Sequence, residues 1–447
     1  MPHSPRVSRP AHRRPRPRPA EVDTDAGREV ELVVGPVAHG GHAVARLDGR
    51  VVFVRHALPG ERVRAVVTEG GPKFWRADAV EVLADASPDR VPSAWPAAGP
   101  GGVGGGELAH VSLDGQRRWK AAVVVEQLRR LAGIERDVVV EPAPGDDERG
   151  GLGYRTRVDL VADGAGRAGM RRFRSHDVLA LDDMPLATGH VAALAEREEV
   201  FTRRWTPGAR LELVAPADGS EPVLLVDGEL WRGGRVDRRP NARRAVAEVV
   251  TPLRAAAPVG EPAAFRYRVA ADGFWQVHRE APAVLAGAVL DSAGDVAGAR
   301  VLDLYSGAGL FTLPLAAVVG EAGRVIAVEG DTRAVKDARR NAHHLPQVEL
   351  RLGAVDRVLA EGDAGGADVG AADVVVLDPP RAGAGRAVVE SIARRGPSRV
   401  VYVACDPAAL ARDVAYLADL GYELTGLRAF DLFPMTHHVE AVALLTR

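Results

Sequence analysis

The sequence is poor in cysteine. One thiol, Cys405, occurs in 447 residues. That excludes an intramolecular disulfide, and any cage of several cysteines around a metal or iron–sulfur cluster within one chain. Lysine is almost as scarce, at positions 73, 120 and 336 only, so arginine supplies nearly all the positive charge. With so much alanine, valine and glycine, this reflects composition rather than chemistry. No apolar run reaches membrane-spanning length and no signal-peptide core is visible, which points to the cytoplasm. Neither sign of charge is in excess. The net charge is −2, so no global field advertises nucleic acid, and the placement of charge must be read instead. What is present suits a folded soluble protein: 46% hydrophobic and 26% charged residues. The length predicts two or three domains.

Residues 1–27 open with "MPHSPRVSRPAHRRPRPRP", arginine- and proline-rich and free of acid. They read as a disordered basic arm, either a weak phosphate attractor or a solvated tail. Residues 28–85 carry short β-branched runs between turn signals, with Asp48-Gly49 as a hairpin turn. They predict an OB-like barrel. Residues 86–282 predict a mixed α+β central domain. It starts with a Gly/Pro-rich irregular stretch over 94–107. A helix follows, with Val124, Leu128 and Leu131 on one face and Gly133 as its stop. Further on, "RAGMRRFRSHDVLALDD" reads as arginine-rich strand.

From 283 to 447 strands alternate with helices: "ARVLDLYSG", "GRVIAVEGD", "ADVVVLDPP", "SRVVYVACD". Continuous apolar runs ending in small and acidic residues predict a doubly wound α/β sheet buried on both faces. Ligands of such sheets bind beyond the strands' carboxyl ends. "DLYSGAG" places Asp303, Gly307 and Gly309 in a D-x-x-x-G-x-G turn, which departs from the dinucleotide fingerprint. The next strand ends in Glu329, which can accept hydrogen bonds from two ribose hydroxyls. Together they fit an adenosine ligand. Without a phosphate-cradling Lys-Ser/Thr, S-adenosylmethionine is preferred over a nucleoside triphosphate.

"DPPRAGAG" follows the third of these strands, and its prolines fix the direction of the Asp378 carboxylate. Cys405 ends the next strand, beside Asp378, and Glu440 lies in the expected last, antiparallel strand. Taken alone, Cys405 is ordinary buried packing. Its position favours another role. Carbon 5 of uracil is a poor nucleophile until a thiolate adds to carbon 6. A base must then remove the carbon 5 proton so that the thiol can leave. One thiol, one carboxylate and a methyl donor suffice.

In order and spacing, "FWQVH" (274–278), "DLYSGAGLFTLPLA", "DPPRAGAG", "CDPAALARD" and "FPMTHHVEAVALL" resemble the RNA uracil-5 methyltransferase family. The resemblance implies a TRAM barrel, a central RNA-binding domain and a class I methyltransferase domain. It implies that Gln276, Tyr305, Gly307, Glu329 and Asp378 bind the cofactor S-adenosylmethionine or the target base. It implies Cys405 as nucleophile and Glu440 as proton-abstracting base, with no metal. The RNA expected is 23S rRNA rather than tRNA, bound by a monomer with no membrane partner. Two rivals stand beside this: an amino-directed RNA methyltransferase, and a non-catalytic RNA-binding or ribosome-assembly protein.

The chain departs from the family in three places. Many members hold a [4Fe-4S] cluster on four cysteines; Trp95, Val103, Gly106 and Met184 stand there, so no iron–sulfur cluster is expected. Asp406 replaces the usual asparagine after the nucleophile, and Ala404 a common serine. A carboxylate beside a thiol disfavours the thiolate unless it is turned away or paired. Leu310 and Ala354 replace two further polar residues, which leaves Asp356 as a weak cofactor candidate. RNA grip is expected from the arm, the barrel and Arg171, Arg172 and Arg174 around Phe173.

Overall fold

The computed structural model describes residues 25–216, 220–240, 242–255, 263–363 and 369–447. Most of the expected basic arm lies outside the described residues. Strands β1 (Glu29–Ala38), β2 (His42–Leu47), β3 (Arg50–Arg55), β4 (Arg62–Glu69) and β5 (Phe74–Ala84) close into a barrel in the order β1-β2-β3-β5-β4. Alternation drives the closure: in β4, Val63, Ala65 and Val67 point inward while their neighbours face out. Asp48 and Gly49 both take positive φ, 48° and 80°, and Leu47 pairs with Arg50. This two-residue turn matches the twist of the hairpin.

Helix α1 (Leu113–Gln127) starts at Ser112, whose hydroxyl accepts from the Gly115 amide at 3.2 Å. Over Leu128–Ala132 it widens into a π turn that ends at Gly133, φ 66°. Val124 and Leu128 are buried as the sequence suggests, but Leu131 is 46% exposed. The wider turn spends more residues per revolution, so position 131 rotates off the apolar face. Trp119 and Val123 of α1 pack into the barrel core, while Val124 and Leu128 join Val140, Ala411 and Val439.

Strand β6 (Val140–Pro142) follows, then β7 (Arg157–Ala162), β8 (Ala168–Arg171), β9 (Val178–Ala180), helix α2 (Gly189–Arg197), β10 (Arg210–Val214), β11 (Val223–Val226), β12 (Glu229–Arg232) and β13 (Arg235–Val236). A seven-stranded sheet runs β13-β12-β11-β10-β7-β8-β9. The arginine-rich stretch expected as strand is instead two strands around a turn. Phe173, in that turn, lies under the Arg55 guanidinium of the barrel, 3.7 Å from ring centre to Cζ. Arg172 donates to the Gly101 carbonyl at 2.5 Å. Barrel docking therefore occupies part of the group expected to grip RNA.

The hairpin β14 (Ala245–Val250) and β15 (Phe265–Ala270) leads to helix α3 (Ala281–Ala293). The chain then alternates: β16 (Arg300–Leu304), α4 (Thr312–Val319), β17 (Arg324–Glu329), α5 (Thr332–Ala342), β18 (Val348–Leu352), α6 (Val355–Asp363), β19 (Val374–Leu377), α7 (Arg386–Arg394), β20 (Arg399–Ala404), α8 (Pro407–Asp419), β21 (Glu423–Asp431) and β22 (Glu440–Thr446). The sheet order is β18-β17-β16-β19-β20-β22-β21-β6. Strand side chains alternate between two cores. Val301, Val325, Val376 and Val401 face one, and Leu302, Ile326, Leu377 and Tyr402 the other. Strand β22 enters antiparallel between β20 and β21, and β6 pairs parallel with β21 at the sheet edge. Among the described residues no helix is long and apolar enough to cross a membrane.

At the barrel's junction with the body, the rings of His56 and His110 lie 5.7 Å apart, both buried, neither Nε2 hydrogen-bonded. Burial lowers their pKa values from the ordinary 6.5 to about 4 and about 3. Both are neutral when folded but titrate near 6.5 when unfolded, so the stability they confer is full above pH 6.5 and is lost as pH falls toward 4. The melting temperature should fall across that window. The fall should be shallower in the His56→Gln/His110→Gln double variant, which thermal melts between pH 8 and pH 4.5 would show.

Candidate active site

Strand order reverses at β16, with β17 on one side and β19 on the other. Connections leave in opposite directions there and open a crevice at the carboxyl ends. A cavity of 1220 Å³ occupies it. Gln276, Tyr305, Gly307, Glu329, Asp378, Cys405 and Glu440, the seven residues singled out from the sequence, all line it. Asp356, on α6, is exposed and is not part of the lining.

At one end the glycine turn after β16 faces Glu329. Gly307 and Gly309 have φ of 56° and 96°. Nothing lies within 4 Å of where a Gly307 Cβ would stand, so a ligand can approach the backbone closely. The Glu329 carboxylate accepts from the Gly307 amide at 2.9 Å and from the Asp331 amide at 2.7 Å. It thus shapes the turn and still has lone pairs to offer. Under the turn, Asp303 accepts from the Thr312 hydroxyl at 2.5 Å while its other oxygen finds no partner. Burial pushes its pKa up to about 7. These features fit an adenosine-bearing cofactor.

At the other end, the Asp378 amide donates to the Leu304 carbonyl at 3.2 Å, which pins the Pro-Pro corner beside the glycine turn. Cys405 directly follows β20, and Glu440 begins β22. Ala404 pairs with Ala441, so the antiparallel ladder brings thiol and carboxylate to the same edge. Burial, followed by repulsion from Glu440 and Asp378, pushes the Cys405 thiol up to about 12. Burial lifts Glu440 well above the usual carboxylate range, with Asp378 adding to it, and lifts Asp378 to about 7. Arg381 pulls the other way on both Cys405 and Glu440. Sequence reasoning gave Arg381 no role, and it missed His438, which also lines the cavity. Their side chains approach to 3.4 Å. Burial and the neighbouring cations hold His438 down at about 3, so it is neutral and can accept from the guanidinium. Phe274, 76% exposed, stands at the cavity wall. An arginine after the Pro-Pro pair was the one available signal for Arg381; His438 had none.

The loop from Leu432 to Val439, which delivers Glu440, is held by buried polar side chains from elsewhere in the chain. Lys120 of α1 pairs with Asp431 and donates to the Phe433 carbonyl at 3.0 Å. The Gln116 carbonyl oxygen accepts from the Met435 amide at 2.7 Å, where φ is 69°. Tyr154 donates to the Pro434 carbonyl at 3.1 Å. Glu107 accepts from the His437 amide at 3.0 Å and pairs with its ring.

The four positions that resemblance matches to cluster ligands also meet. Trp95 and Val103 share an apolar core against which Met184 packs. A Cβ on Gly106 would stand 2.7 Å from Cε3 of Trp95. An indole, an isopropyl group, a bare backbone and a thioether cannot replace four thiolates, so these residues do not fit an iron–sulfur cluster. Among the described residues no group of three or more His, Cys, Asp or Glu could hold a metal ion.

Comparison with known proteins adds three family matches. Residues 367–447 match the family described as tRNA (uracil-5-)-methyltransferase, residues 24–80 the TRAM domain, and residues 279–377 protein-L-isoaspartate(D-aspartate) O-methyltransferase. An uncharacterized RNA methyltransferase of Bifidobacterium longum is 46% identical, over 94% of this chain and 97% of its own. The 23S rRNA (uracil(1939)-C(5))-methyltransferase RlmD of Alkalilimnicola ehrlichii is 33% identical, over 93% of this chain and 96% of its own. The tRNA (uracil-54, C5)-methyltransferase of Pyrococcus abyssi, solved in complex with S-adenosyl-L-homocysteine, shares the fold. Its TM-score is 0.64 over 93% of this chain and 100% of that one, at 23% identity.

Removing Lys120 takes the ion-pair partner from the buried Asp431 carboxyl. Lys120→Ala should cost about 3–5 kcal/mol in urea unfolding, more than a surface lysine by far. The raised thiol makes a second prediction. Thiolate is the reactive form and is scarce below the thiol's pKa. Cys405, the one thiol in the chain, should therefore react with iodoacetamide at pH 8 at least about tenfold more slowly than free cysteine, as mass spectrometry of the labelled protein would show.

Proposed function

The chain belongs to the RNA uracil-5 methyltransferase family, and from that premise we propose that it methylates carbon 5 of a uridine in 23S rRNA through a covalent Cys405 adduct. That it is an S-adenosylmethionine-dependent RNA methyltransferase follows from its membership. The reaction path and the target are our reading. The observation that carries it is the meeting of one thiol and one carboxylate, Cys405 and Glu440, at the edge of the cavity that also holds the glycine turn.

Glu329 would accept the ribose hydroxyls, Gly307 would give the backbone room, and Gln276 and Asp378 would meet the polar edge of the base or cofactor. The cofactor, when bound, supplies a methyl group on a positively charged sulfur. Cys405 loses its proton to solvent, and its sulfur bonds to carbon 6 of the uracil. The displaced electron pair reaches oxygen 4, and carbon 5 becomes nucleophilic enough to take the methyl group, whose bond to sulfur would break with its electron pair left on that sulfur as a neutral thioether. The Glu440 carboxylate then removes the proton from carbon 5. The electrons of that bond re-form the ring double bond and expel the Cys405 thiolate. Arg381 lowers the cost of negative charge on both groups.

Ribosomal RNA is favoured by the 33%-identical relative whose name specifies 23S rRNA. Mapping 5-methyluridine in RNA from a deletion strain tests it: loss from tRNA with 23S rRNA unchanged would overturn the target. Cys405→Ala should abolish methyl transfer while cofactor affinity stays within about twofold by calorimetry, because the thiol touches the base and not the cofactor. Glu440→Gln should instead accumulate a protein–RNA adduct, visible as a shifted band on denaturing gels. Methylation by Cys405→Ala near the parent rate would sink the thiol path. With no thiolates at the four cluster positions, protein purified without oxygen should be colourless. Elemental analysis should then find well under one iron per chain.

A further inference from the structure

The tip of the first barrel hairpin reaches the catalytic edge. Between β1 and β2, Gly40 and Gly41 turn with φ of 91° and 78°. A Cβ on Gly41 would stand 3.0 Å from the His437 ring and 3.2 Å from Glu107. The turn is thus seated directly on the loop that delivers Glu440. The preceding residue, His39, places Nε2 3.0 Å from an Asp406 oxygen. The other Asp406 oxygen caps α8, accepting from the Ala408 amide at 3.0 Å and the Ala409 amide at 2.8 Å. Asp406 is the next residue after Cys405.

We propose that His39 is a positioning residue for the thiol chemistry: its imidazolium pairs with Asp406, holds that carboxylate onto the α8 N-terminus, and offsets a negative charge that would otherwise oppose thiolate at Cys405. This inference rests on the reading of Cys405 as nucleophile. It explains how the chain keeps an acid where an uncharged neighbour would be easier. The groups facing the thiol are Glu440 from β22, Asp378 and Arg381 from the corner after β19, and Asp406 from α8. Those facing His39 are Asp406 and Glu126 of α1, both acidic. The hydrogen bond to Asp406 raises the His39 pKa above 6.5, against the effect of burial. For Asp406, burial opposes the charge, but the His39 and amide hydrogen bonds outweigh it and hold the carboxyl below its ordinary range.

The sign follows. The imidazolium is present below the raised His39 pKa and vanishes as pH rises through it. Help to the thiolate is therefore a low-pH effect. A loss of about half a pH unit of thiol acidity corresponds to about threefold less thiolate.

The test is the single-turnover rate of covalent adduct formation with 5-fluorouridine RNA and S-adenosylmethionine, from pH 6 to pH 9. His39→Ala and His39→Gln should each be about threefold slower than the parent at pH 6.5 and converge with it at pH 9. Gln keeps a hydrogen-bond donor and loses only the charge. Asp406→Asn should be at least as fast as the parent, and adding His39→Ala to it should change nothing further. Separately, the NMR titration of the His39 ring should move to lower pH in Asp406→Asn. A pH-independent ratio between His39→Ala and the parent, or an equal slowing in the Asp406→Asn background, would overturn the proposal. So would an unmoved His39 titration. Failure of the parent itself to form an adduct would overturn the thiol path and this inference with it, whereas a reactive parent with superposable variants would overturn this inference alone.

Discussion

The buried ion pair of Lys120 with Asp431 ties three parts of the molecule together. Both side chains are almost fully buried, at 0% and 2% exposure. A charge in such a place is tolerated only when its partner is present and the remaining donors are satisfied, which the Phe433 carbonyl helps to do. The pair fixes α1 against the end of β21. One side of α1 fills the barrel core and the other meets α8 and the sheet edge. The loop that begins after Asp431 ends at Glu440. Barrel, sheet and the loop that delivers Glu440 therefore share this anchor, and movement of α1 would carry all three.

The periodic parts of this arrangement were legible in the sequence. Strands β16, β17, β19 and β20 are continuous apolar runs because helices cover both faces. Their carboxyl ends mark the ligand crevice wherever the runs stop, at Tyr305, Glu329, Asp378 and Cys405. The barrel was legible for the opposite reason: its strands alternate, and Asp48-Gly49 fixes a turn. What local pattern could not carry was contact between distant polar groups. Lys120 and Asp431 lie 311 positions apart, and His39 and Asp406 lie 367 apart. Nothing in "RRWKAAV" distinguishes a lysine bound for the interior from one bound for solvent. Likewise Leu131 fits a helical face on paper, and only the π turn takes it away. Phe173 reads as a free aromatic among arginines until Arg55 is found over its ring.

The same distinction explains the cluster positions. The sequence showed that four thiolates are absent, yet it could not show what occupies their place. The indole of Trp95 does, packed so closely on Gly106 that even one methyl group there would collide. A metal cluster ties loops together by coordination bonds, whereas this core ties them by excluded volume and apolar burial, at about 2–3 kcal/mol for a large side chain. The central sheet therefore meets the Gly-rich segment through packing, and needs no redox-sensitive centre to do so.

The acids of the cavity complete the picture. Burial raises the cost of ionising Cys405, Glu440 and Asp378; Glu440 and Asp378 add to it at Cys405, Asp378 at Glu440, and Asp303 at Asp378. Such groups titrate as a set, and burial favours the protonated forms of its members. The proposed chemistry needs the reverse: a thiolate first, and a carboxylate afterwards. A positively charged ligand entering between the glycine turn and Cys405 changes the balance, since it favours the ionised form of every acid it faces. Arg381 acts from within the protein in that direction. On the proposed path the thiol would become a nucleophile only with the cation and the base in place. Within this scheme an unpaired Asp406 would be one acid too many, and that is the charge the proposed His39 pairing would offset.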